Sequence, residues 1–545
     1  MTIRRICVLW SLLLTLVAAP PIAAQDEPEP GPFSEIVDVR VVNIEVVVTD
    51  KDGVPVRGLD ADAFVLEVDG DEVSIDYFSE VRGGQALQDP GGGVSDLPAI
   101  PALVPGEPVQ TSYLVFIDDS FTFKDDRDRV LDGIEADLGM LGENDTMALV
   151  AFDGRQLEML TSWTGSSEVL RRAFAAARNR PTKGLQKLAE LRQFDRESES
   201  RTGRGGRSGF DLDPETKSFI LRLGDQIDRT LRAAAATLRS FAKPPGRKVM
   251  LLINGGLPYS PTEFVEADYR GSSELSLVER EQLFRQVSDT ANLLGYTVYP
   301  ADASGHGTRW MDDPSSASRV EAGSSTLLTA RRTSRQFSSR YLARETGGEA
   351  LLYDNADRAF SRVVEDTRSY YWLGFSPNRA WDDRQHEVEI STRDGQLEVR
   401  TRQGFLDSSR SAEVTHQVES EFLFGGSPEA SQLEVALGQW KRAGFRKGEV
   451  PMTLSIPMSE LTFVENGAGV AADLELRLAV EDQAFRRADI PVIPIRLEGE
   501  SRPGPEARWE YTVPLVLRRQ KHRGLIALYD VVSGKIFTSS VVIEP

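Results

Sequence analysis

A short acidic and hydroxyl-rich stretch ends an apolar run that begins at Tyr113 and reads YLVFIDDSFT. Side chains at alternate positions of an extended segment point the same way, so Asp118, Ser120 and Thr122 can present one carboxylate and two hydroxyls to one point. We call residues 118–122 the Asp118 corner. Its oxygens suit a hard cation such as Mg²⁺ or Mn²⁺, with water filling the other coordination positions. A second interpretation needs no metal: the hydroxyls cap the following helix by accepting a backbone hydrogen bond.

Apolar strands alternate with amphipathic helices from Tyr113 onward. The strands Met147–Phe152 and Val249–Ile253 are apolar on both faces, and the helical segments carry apolar residues at three- and four-residue steps, for example Ile227 and Leu231. This alternation predicts a doubly wound parallel sheet that is covered by helices on both faces. Ligands bind such sheets at the carboxyl ends of the strands, which is where the Asp118 corner lies.

Alternating apolar residues on either side of this region predict β structure, as in Val42–Val48 and Leu474–Val480. The predicted fold class is therefore multidomain α/β plus β, with a central α/β domain flanked by β-sandwich domains. We expect the insertion within the α/β domain to be a solvated loop, because it is polar and rich in Arg and Gly. The predicted organisation is a signal peptide (1–24), an acidic, Pro-rich leader (25–35), an N-terminal Ig-like β-sandwich (36–85), a Gly/Pro linker (86–110), the α/β domain (111–376) with its insertion at about 182–215, a β segment (377–411) and a C-terminal β-sandwich (412–545).

The N-terminus has the layout of a secretory signal. Arg4 and Arg5 precede the apolar run Ile6–Ala19, which is too short to span a membrane, and small residues lead to a cleavage position near Ala24. Cys7 is the only cysteine of the chain and lies inside this run, so disulfides and thiol catalysis are not expected in the mature protein. We therefore predict an exported protein without a membrane span, located in the periplasm or outside the cell.

Charge and histidine content limit the classes of function. Asp and Glu number 84 against 63 Lys and Arg, which gives a formal charge of -21 and disfavours nucleic acid as a partner. The chain has four histidines, and none of them has the H-E-x-x-H spacing of a metalloprotease. These features favour protein binding over catalysis. The alternatives are a structural envelope scaffold with an inert site and a metal-dependent hydrolase that uses Asp118 and Asp119.

Three separated segments resemble the secreted bacterial von Willebrand factor A-related proteins of the acidobacterial type. They are the D-x-S-x-T pattern after a buried strand, the block VVNIEVVVTDKDGVPVRGLDADAFVLEVDGDEVSIDYFSEV before it, and SYYWLGFSP with VEISTRDGQLEVRTRQGF after it. The resemblance implies a von Willebrand factor type A (VWA) domain with a metal-ion-dependent adhesion site. It also implies one divalent cation, Mg²⁺ or Mn²⁺, and a protein partner whose acidic residue completes the metal coordination.

The predicted metal-binding set is Asp118, Ser120, Thr122 and Asn254, and it departs from the pattern of the VWA family. That family has Thr-Asp-Gly after a later strand, where this chain has Ile-Asn-Gly at 253–255. A neutral amide in place of a carboxylate attracts a cation less strongly. We therefore expect a degenerate adhesion site.

The family also takes a threonine from a middle loop, and its position in this chain is open. Thr164 and Thr182 are the candidates, and neither lies in a clear Gly-Thr loop. Asp153 and Asp302 follow other predicted strands and could supply the charge that Asn254 lacks. Each of these acids is also explained as a solvated loop residue.

Overall fold

Predictions about the start of the chain lie outside the residues that the structure describes. A computed structural model describes residues 41–87, 106–202, 212–242, 244, 246–266, 280–304, 322–352, 356–377, 382–425, 432–466, 469–483, 486–504 and 506–545. The predicted signal peptide, the leader and most of the Gly/Pro linker are therefore not among them. Within the described part of the chain, no helix has both the length and the apolar character needed to cross a membrane.

The first fourteen strands form three sheets, and the central one carries the Asp118 corner. They are β1 (Val42–Thr49), β2 (Phe64–Val68), β3 (Asp71–Glu72), β4 (Tyr77–Arg82), β5 (Gln85–Ala86), β6 (Thr111–Asp118), β7 (Thr146–Phe152), β8 (Leu157–Thr164), β9 (Arg247–Asn254), β10 (Tyr296–Asp302), β11 (Tyr370–Phe375), β12 (Gln385–Thr392), β13 (Glu398–Arg400) and β14 (Gly404–Leu406). The helices of the described residues are α1 (Lys124–Ala136), α2 (Ser167–Asn179), α3 (Gly184–Thr202), α4 (Pro214–Ser240), α5 (Pro261–Val265), α6 (Arg280–Leu294), α7 (Ala322–Glu345), α8 (Ala359–Thr367) and α9 (Arg410–Phe424), with short 3₁₀ turns at 61–63, 137–140 and 458–460.

The central sheet has the strand order β10-β9-β6-β7-β8. Its first four strands are parallel, and β8 pairs antiparallel with β7 at one edge. Alternate residues of β6 enter two cores: Phe116 packs with residues of α4 and α6, whereas Val115 and Ile117 pack with residues of α1, α2 and α8. The predicted α/β class, with parallel strands at its centre and helices on both faces, is what the structure shows.

Strands from two distant parts of the chain form one N-terminal β-sandwich, whereas the sequence predicts separate units at 36–85 and 377–411. The two sheets have the orders β13-β1-β11-β4-β5 and β14-β12-β2-β3. Ile44 of β1 pairs with Leu373 of β11, and Leu66 of β2 pairs with Ile390 of β12. β11 therefore belongs to this sandwich although it lies within the predicted α/β range. Alternation identifies the buried face of a strand, but it does not identify a partner beyond an inserted domain.

The C-terminal part is a second β-sandwich with a helix at its start. Strand β17 pairs with β15, β16 and β21 in one sheet, and β19 pairs with β18, β20 and β22 in the other, where β23 follows β22. The sequence does not predict α9, whose Val414, Val418 and Phe422 pack on the outside of β19 and β22. The strands are β15 (Glu434–Leu437), β16 (Lys441–Arg442), β17 (Lys447–Pro457), β18 (Val464–Asn466), β19 (Gly469–Asp482), β20 (Val492–Gly499), β21 (Arg508–Arg518), β22 (His522–Asp530) and β23 (Ile536–Ile543).

The insertion in the α/β domain differs from the predicted solvated loop, because its residues 184–202 form helix α3. Leu188, Leu191 and Phe194 are buried, and the ring of Phe194 stacks on Phe219 of α4 with 4.4 Å between centroids. The described part of the insertion therefore contributes to the core above the carboxyl edge of the sheet. Its apolar residues are spaced for a helix, but the charged residues between them hide the pattern.

Candidate functional site

The Asp118 corner is a compact hydrogen-bonded turn at the carboxyl end of β6. The Asp118 Oδ1 atom accepts hydrogen bonds from the backbone N–H of Ser120 at 2.9 Å and from the Ser120 hydroxyl at 2.5 Å. The Thr122 hydroxyl donates to the backbone oxygen of Asp118 at 2.5 Å. All three side chains are at most 3% exposed. The alternate oxygens do gather at one end of the strand, as the spacing predicts, but they are covered.

The structure contradicts the interpretation of these hydroxyls as a helix cap. Helix α1 begins at Lys124, so its N-cap residue is Phe123. The Phe123 side chain makes no capping hydrogen bond to this helix. The hydroxyls of Ser120 and Thr122 instead stabilise the turn itself.

A third hydroxyl reaches the corner from helix α4. The Thr230 Oγ1 atom lies 3.2 Å from Ser120 Oγ, and Thr230 is 1% exposed. Thr164, one of the two predicted candidates for the middle threonine, pairs with Met147 at the opposite end of the sheet. Thr182 lies in the segment that enters α3, and its neighbour at 183 contacts the corner through its backbone. Thr230 gives no sequence signal because it occupies an ordinary helical position among Arg and Ala residues.

The Asp118 carboxylate is buried, and one of its two oxygens, Oδ2, receives no hydrogen bond from the described residues. Burial raises the pKa of the Asp118 carboxyl to about 7, and the hydrogen bonds from Ser120 offset only part of this rise. A buried carboxylate oxygen beside the hydroxyls of Ser120 and Thr230 fits a hard divalent cation, and these three residues would hold it.

The other two predicted ligands have their oxygens engaged in local turns. Asn254 is 2% exposed, and its Oδ1 atom accepts the backbone N–H of Gly256 at 2.7 Å. The Thr122 hydroxyl is bonded to the backbone as described above. Both residues therefore lie at the corner and shape its loops, while the Ser120 hydroxyl contacts both Asp118 Oδ1 and the Thr230 hydroxyl.

The acids at neighbouring strand ends also close their own loops. Asp153 Oδ1 accepts the backbone N–H groups of Arg155 and Gln156, each at 2.8 Å. Asp302 Oδ1 accepts from the backbone N–H of Ser304 at 2.9 Å and from its hydroxyl at 2.5 Å. The Asp302 turn thus repeats the Asp118-x-Ser120 hydrogen-bonding pattern two strands away.

Asp119 is held in a buried ion-pair network that the sequence does not reveal. Its two carboxylate oxygens accept from Arg127 Nη1 at 2.6 Å and from Arg180 Nε at 2.7 Å. The side chains of Asp119 and Arg127 are both 0% exposed. The Arg127 guanidinium also donates to the backbone oxygens of Arg178 and Arg180 at the end of α2. Asp119 therefore fastens the corner to α1 and α2.

The start of α3 closes over the corner. The backbone N–H of Lys183 donates to Asp119 O at 2.8 Å, and that of Gly184 donates to Thr122 O at 3.2 Å. The Lys183 ammonium donates to the backbone oxygen of Asp153. Burial lowers the pKa of the Lys187 ammonium, and the nearby carboxylates of Glu190 and Asp118 oppose this effect. Lys183 thus fastens the insertion to the loop after β7, and Lys187 lies near enough to Asp118 to interact with its carboxylate.

We expect Gly184→Ala to destabilise the protein by about 1–3 kcal/mol, because the added methyl group has no space. A Cβ at this position would lie 2.6 Å from Thr122 O and 2.9 Å from Phe123 N, which are rigid backbone atoms. Gly395→Ala is the control, since a Cβ there meets nothing within 4 Å. Urea unfolding of both variants tests this expectation. Equal stability changes for the two would show that α3 does not pack tightly on the corner.

An apolar cleft opens beside the corner and between helices α3, α4 and α5. Phe121, the central residue of the corner, forms part of its wall, so we call it the Phe121 cleft. Its apolar lining is formed by Phe121, Leu191, Phe219, Leu223, Pro258 and Phe264. Its charged lining is formed by Lys187, Arg222, Arg335 and Glu190, so cations exceed anions in the lining.

Comparison with known proteins gives structural matches alone. No protein-family model matches this chain, and no curated protein matches it. The matched solved structures include the vWF domain of the type V pili tip protein Mfa5 from Porphyromonas gingivalis, at 15% identity and a TM-score of 0.16. That match covers 27% of this chain and 38% of the other.

Two further matches cover different shares of the chain. The three N-terminal domains of the same Mfa5 protein match over 80% of this chain and 70% of theirs, at 9% identity and a TM-score of 0.25. The putative ApaA protein from Bordetella pertussis matches over 21% of this chain and 94% of its own, at 16% identity and a TM-score of 0.13. At these low scores the matches carry no conclusion about function, which has to come from the site.

Proposed function

We propose that this chain is an exported, non-enzymatic protein-binding module of the adhesion type, built around a VWA-like domain with a degenerate metal site. The observation that carries the proposal is the Phe121 cleft, which opens at the carboxyl edge of the parallel sheet and shares Phe121 with the Asp118 corner. Ligands of open α/β sheets bind at this edge. An apolar cleft with a few charged groups in its lining suits an inserted side chain of a partner.

The lining of the cleft defines the chemistry of its occupant. Its apolar wall suits an apolar side chain, and Lys187, Arg222 and Arg335 outnumber Glu190 around it. The occupant is therefore a partner segment that carries Phe, Leu or Trp next to Asp or Glu. Because Asp118 is 1% exposed, the acidic residue of the partner faces these cations and does not complete the metal coordination.

The cation has a structural role in this proposal. When bound, Mg²⁺ or Mn²⁺ supplies the positive charge that a buried carboxylate requires. Asp118 and Ser120 belong to the strand-end turn and Thr230 belongs to α4, so these residues would join the two elements that border the cleft. Asn254 keeps the neighbouring loop in place through its hydrogen bond to Gly256.

The environment of Asp119 supports a binding function over hydrolysis. A hydrolase at this corner would need a second carboxylate to position or deprotonate water. Both oxygens of Asp119 are occupied by Arg127 and Arg180, and its side chain is 0% exposed. Arginine stays protonated in proteins, so both oxygens of this carboxylate remain paired and neither is free to position water.

A display experiment tests the proposal with a defined probe. One peptide library carries Phe, Leu or Trp flanked by Asp or Glu, and a second carries Lys at the flanking positions. We expect the acidic library to enrich on the full chain, and Arg222→Glu to abolish the enrichment by reversing charge at the cleft. Arg171→Glu is the matched control, because Arg171 is exposed on α2 against the other face of the sheet.

The same selection separates the two routes by which an acid could be recognised. We expect selected peptides to bind in EDTA as long as the protein stays folded, because the cleft holds them without the metal. If the folded protein lost binding in EDTA, the result would favour the alternative in which an acidic residue of the partner coordinates the metal directly. Failure of the acidic library to enrich, or equal enrichment on Arg222→Glu, would favour a scaffold with an inert site.

A further inference from the structure

A histidine and three carboxylates meet in the N-terminal β-sandwich, which does not contain the Asp118 corner. His386 lies on β12, Asp382 precedes that strand, Asp407 follows β14, and Asp69 occupies the turn between β2 and β3. We propose that Asp382, His386 and Asp407 bind a divalent transition-metal ion, with Zn²⁺ as the best fit, and that Asp69 orients the imidazole.

The ligand atoms are close enough for one ion. One ligand atom from each residue, a carboxylate oxygen of Asp382 and of Asp407 and a ring nitrogen of His386, lies within 4.8 Å of the other two. Zinc bonds of about 2.0–2.2 Å place ligands about 3–4 Å apart, so small side-chain rotations complete the site. His386 is 6% exposed and Asp407 is 2% exposed, while Asp382 is exposed at the rim. An ion can therefore enter past Asp382 and reach two buried ligands.

Each ring nitrogen of His386 faces a carboxylate, which favours a cation beside Nε2. His386 Nδ1 lies 2.8 Å from Asp69 Oδ2, to which it donates in the tautomer that carries its proton on this nitrogen. In a neutral ring, Nε2 then presents a lone pair, and it lies 3.1 Å from the Oδ1 atom of Asp382. A lone pair facing a carboxylate repels it unless a metal ion or a second proton lies between them. The nearby, buried carboxylate of Asp407 favours the metal ion.

The position of Asp69 matches the outer shell of a protein zinc site. Its Oδ1 atom accepts the backbone N–H of Glu387 at 3.0 Å, and its Oδ2 atom faces His386. A carboxylate that accepts the second ring N–H fixes the orientation of a metal-binding histidine and increases its basicity. The ring of Phe405 packs against the imidazole with 5.2 Å between centroids, which restricts it further.

Unusual backbone conformations hold the loops of this cluster in place. Asp69 and Asp383 are the non-glycine residues with positive φ in the described part of the chain, at 54° and 53°. The backbone N–H of Asp383 donates to Asp407 O at 2.9 Å, and its side chain accepts the N–H of Ser409 at 2.6 Å. Such conformations persist where the surrounding contacts determine them. The loops that carry Asp69 and Asp407 are therefore rigid supports for ligands.

The donor set selects the type of ion. Imidazole nitrogen suits Zn²⁺ and other late transition ions, whereas Mg²⁺ and Ca²⁺ prefer all-oxygen sites such as the Asp118 corner. Three protein ligands leave one tetrahedral position for water. The ion would join the segment before β12 to the segment after β14, and Asp69 ties the β2–β3 turn to this site through His386. Ser409, which caps α9, is tied to the same loops, so the ion also stabilises the connection to the C-terminal sandwich.

Metal binding by the full, EDTA-treated chain tests the proposal. We expect one equivalent of Zn²⁺ in calorimetry at this site, and visible absorption bands when Co²⁺ replaces it. His386→Gln and Asp407→Asn should abolish both signals, and Asp69→Asn should weaken affinity by about 10–100-fold. His416→Gln, which changes a histidine on α9, should leave both unchanged. Asp118→Ala should also leave them unchanged, which separates this site from the corner.

Asp382→Asn keeps the test valid if a buried variant fails to fold, since Asp382 lies at the exposed rim. We expect this variant to remain folded and to lose most of its affinity for Zn²⁺ and Co²⁺. The proposal is overturned if the wild type binds neither ion, or if Asp382→Asn and Asp407→Asn bind them as the wild type does. An imidazolium signal from His386 in NMR without metal binding would assign the cluster to ion pairing alone.

Discussion

Replacing Arg127 by Ala will lower the free energy of unfolding by about 3–5 kcal/mol, because it leaves a buried carboxylate with half of its ion-pair network. The side chains of Arg127 and Asp119 are both 0% exposed, and their contact is 2.6 Å long. Arg180 alone remains for Asp119, and it also pairs with Glu158 at the surface. The backbone oxygens of Arg178 and Arg180 lose donors as well.

Arg129→Ala is the matched control for this prediction, because it lies on the same helix and is also ion-paired. Its side chain is 43% exposed, and it pairs with Asp126 at 3.5 Å and Asp357 at 2.7 Å. The exposed pair with Asp357 contributes about 0–1 kcal/mol, and the contact with the buried Asp126 is long, so the control should lose much less stability than Arg127→Ala. Denaturant titration of both variants measures the difference. A loss below about 1 kcal/mol for Arg127→Ala would mean that water reaches Asp119 in solution.

The sequence predicts those features of the α/β domain that depend on local pattern. Strand β6 and the turn at its end follow from an apolar run and alternate oxygens, and the turn indeed brings Asp118 and Ser120 together. The parallel sheet follows from strands that alternate with amphipathic helices. These predictions succeed because burial on both faces and helical periodicity determine which residue types occur at neighbouring positions in the sequence.

Features that depend on contacts between distant residues are not predicted. Thr230 meets Ser120 across 110 residues, from a helical position that looks ordinary in the sequence. His386 meets Asp69 across 317 residues, and its neighbours in sequence give no metal-binding spacing. The N-terminal sandwich is misassigned for the same reason, since β1 pairs with β11 beyond the whole α/β domain. Local patterns determine the elements, and long-range packing determines which side chains meet.

The contribution of Asp118 to the stability of the metal-free protein will fall as pH rises from about 4 to about 7, so the stability difference between wild type and Asp118→Asn will change over this range. Burial raises the pKa of Asp118 from 3.8 to about 7, so the folded state holds a proton that the unfolded state releases. The stabilising contribution is complete below the unfolded pKa and is lost as pH rises through the folded one. A shift of about three pKa units corresponds to roughly 4 kcal/mol as an upper limit.

A bound divalent cation will reverse this trend, because it stabilises the ionised form of Asp118. We expect saturating Mg²⁺ or Mn²⁺ at about pH 8 to raise the melting temperature of the wild type and to leave Asp118→Asn unchanged. At about pH 5 the response should shrink, since protons compete with the cation for the carboxylate. Thermal unfolding of both proteins in EDTA and in each metal, at both pH values, measures these responses. A stability difference between wild type and variant that is constant with pH would mean that Asp118 does not titrate in this range. If Asp118 titrates but no metal changes the melting temperature, the corner is a structural turn that a proton stabilises. The Phe121 cleft would then have to bind its partner without an ion beside it.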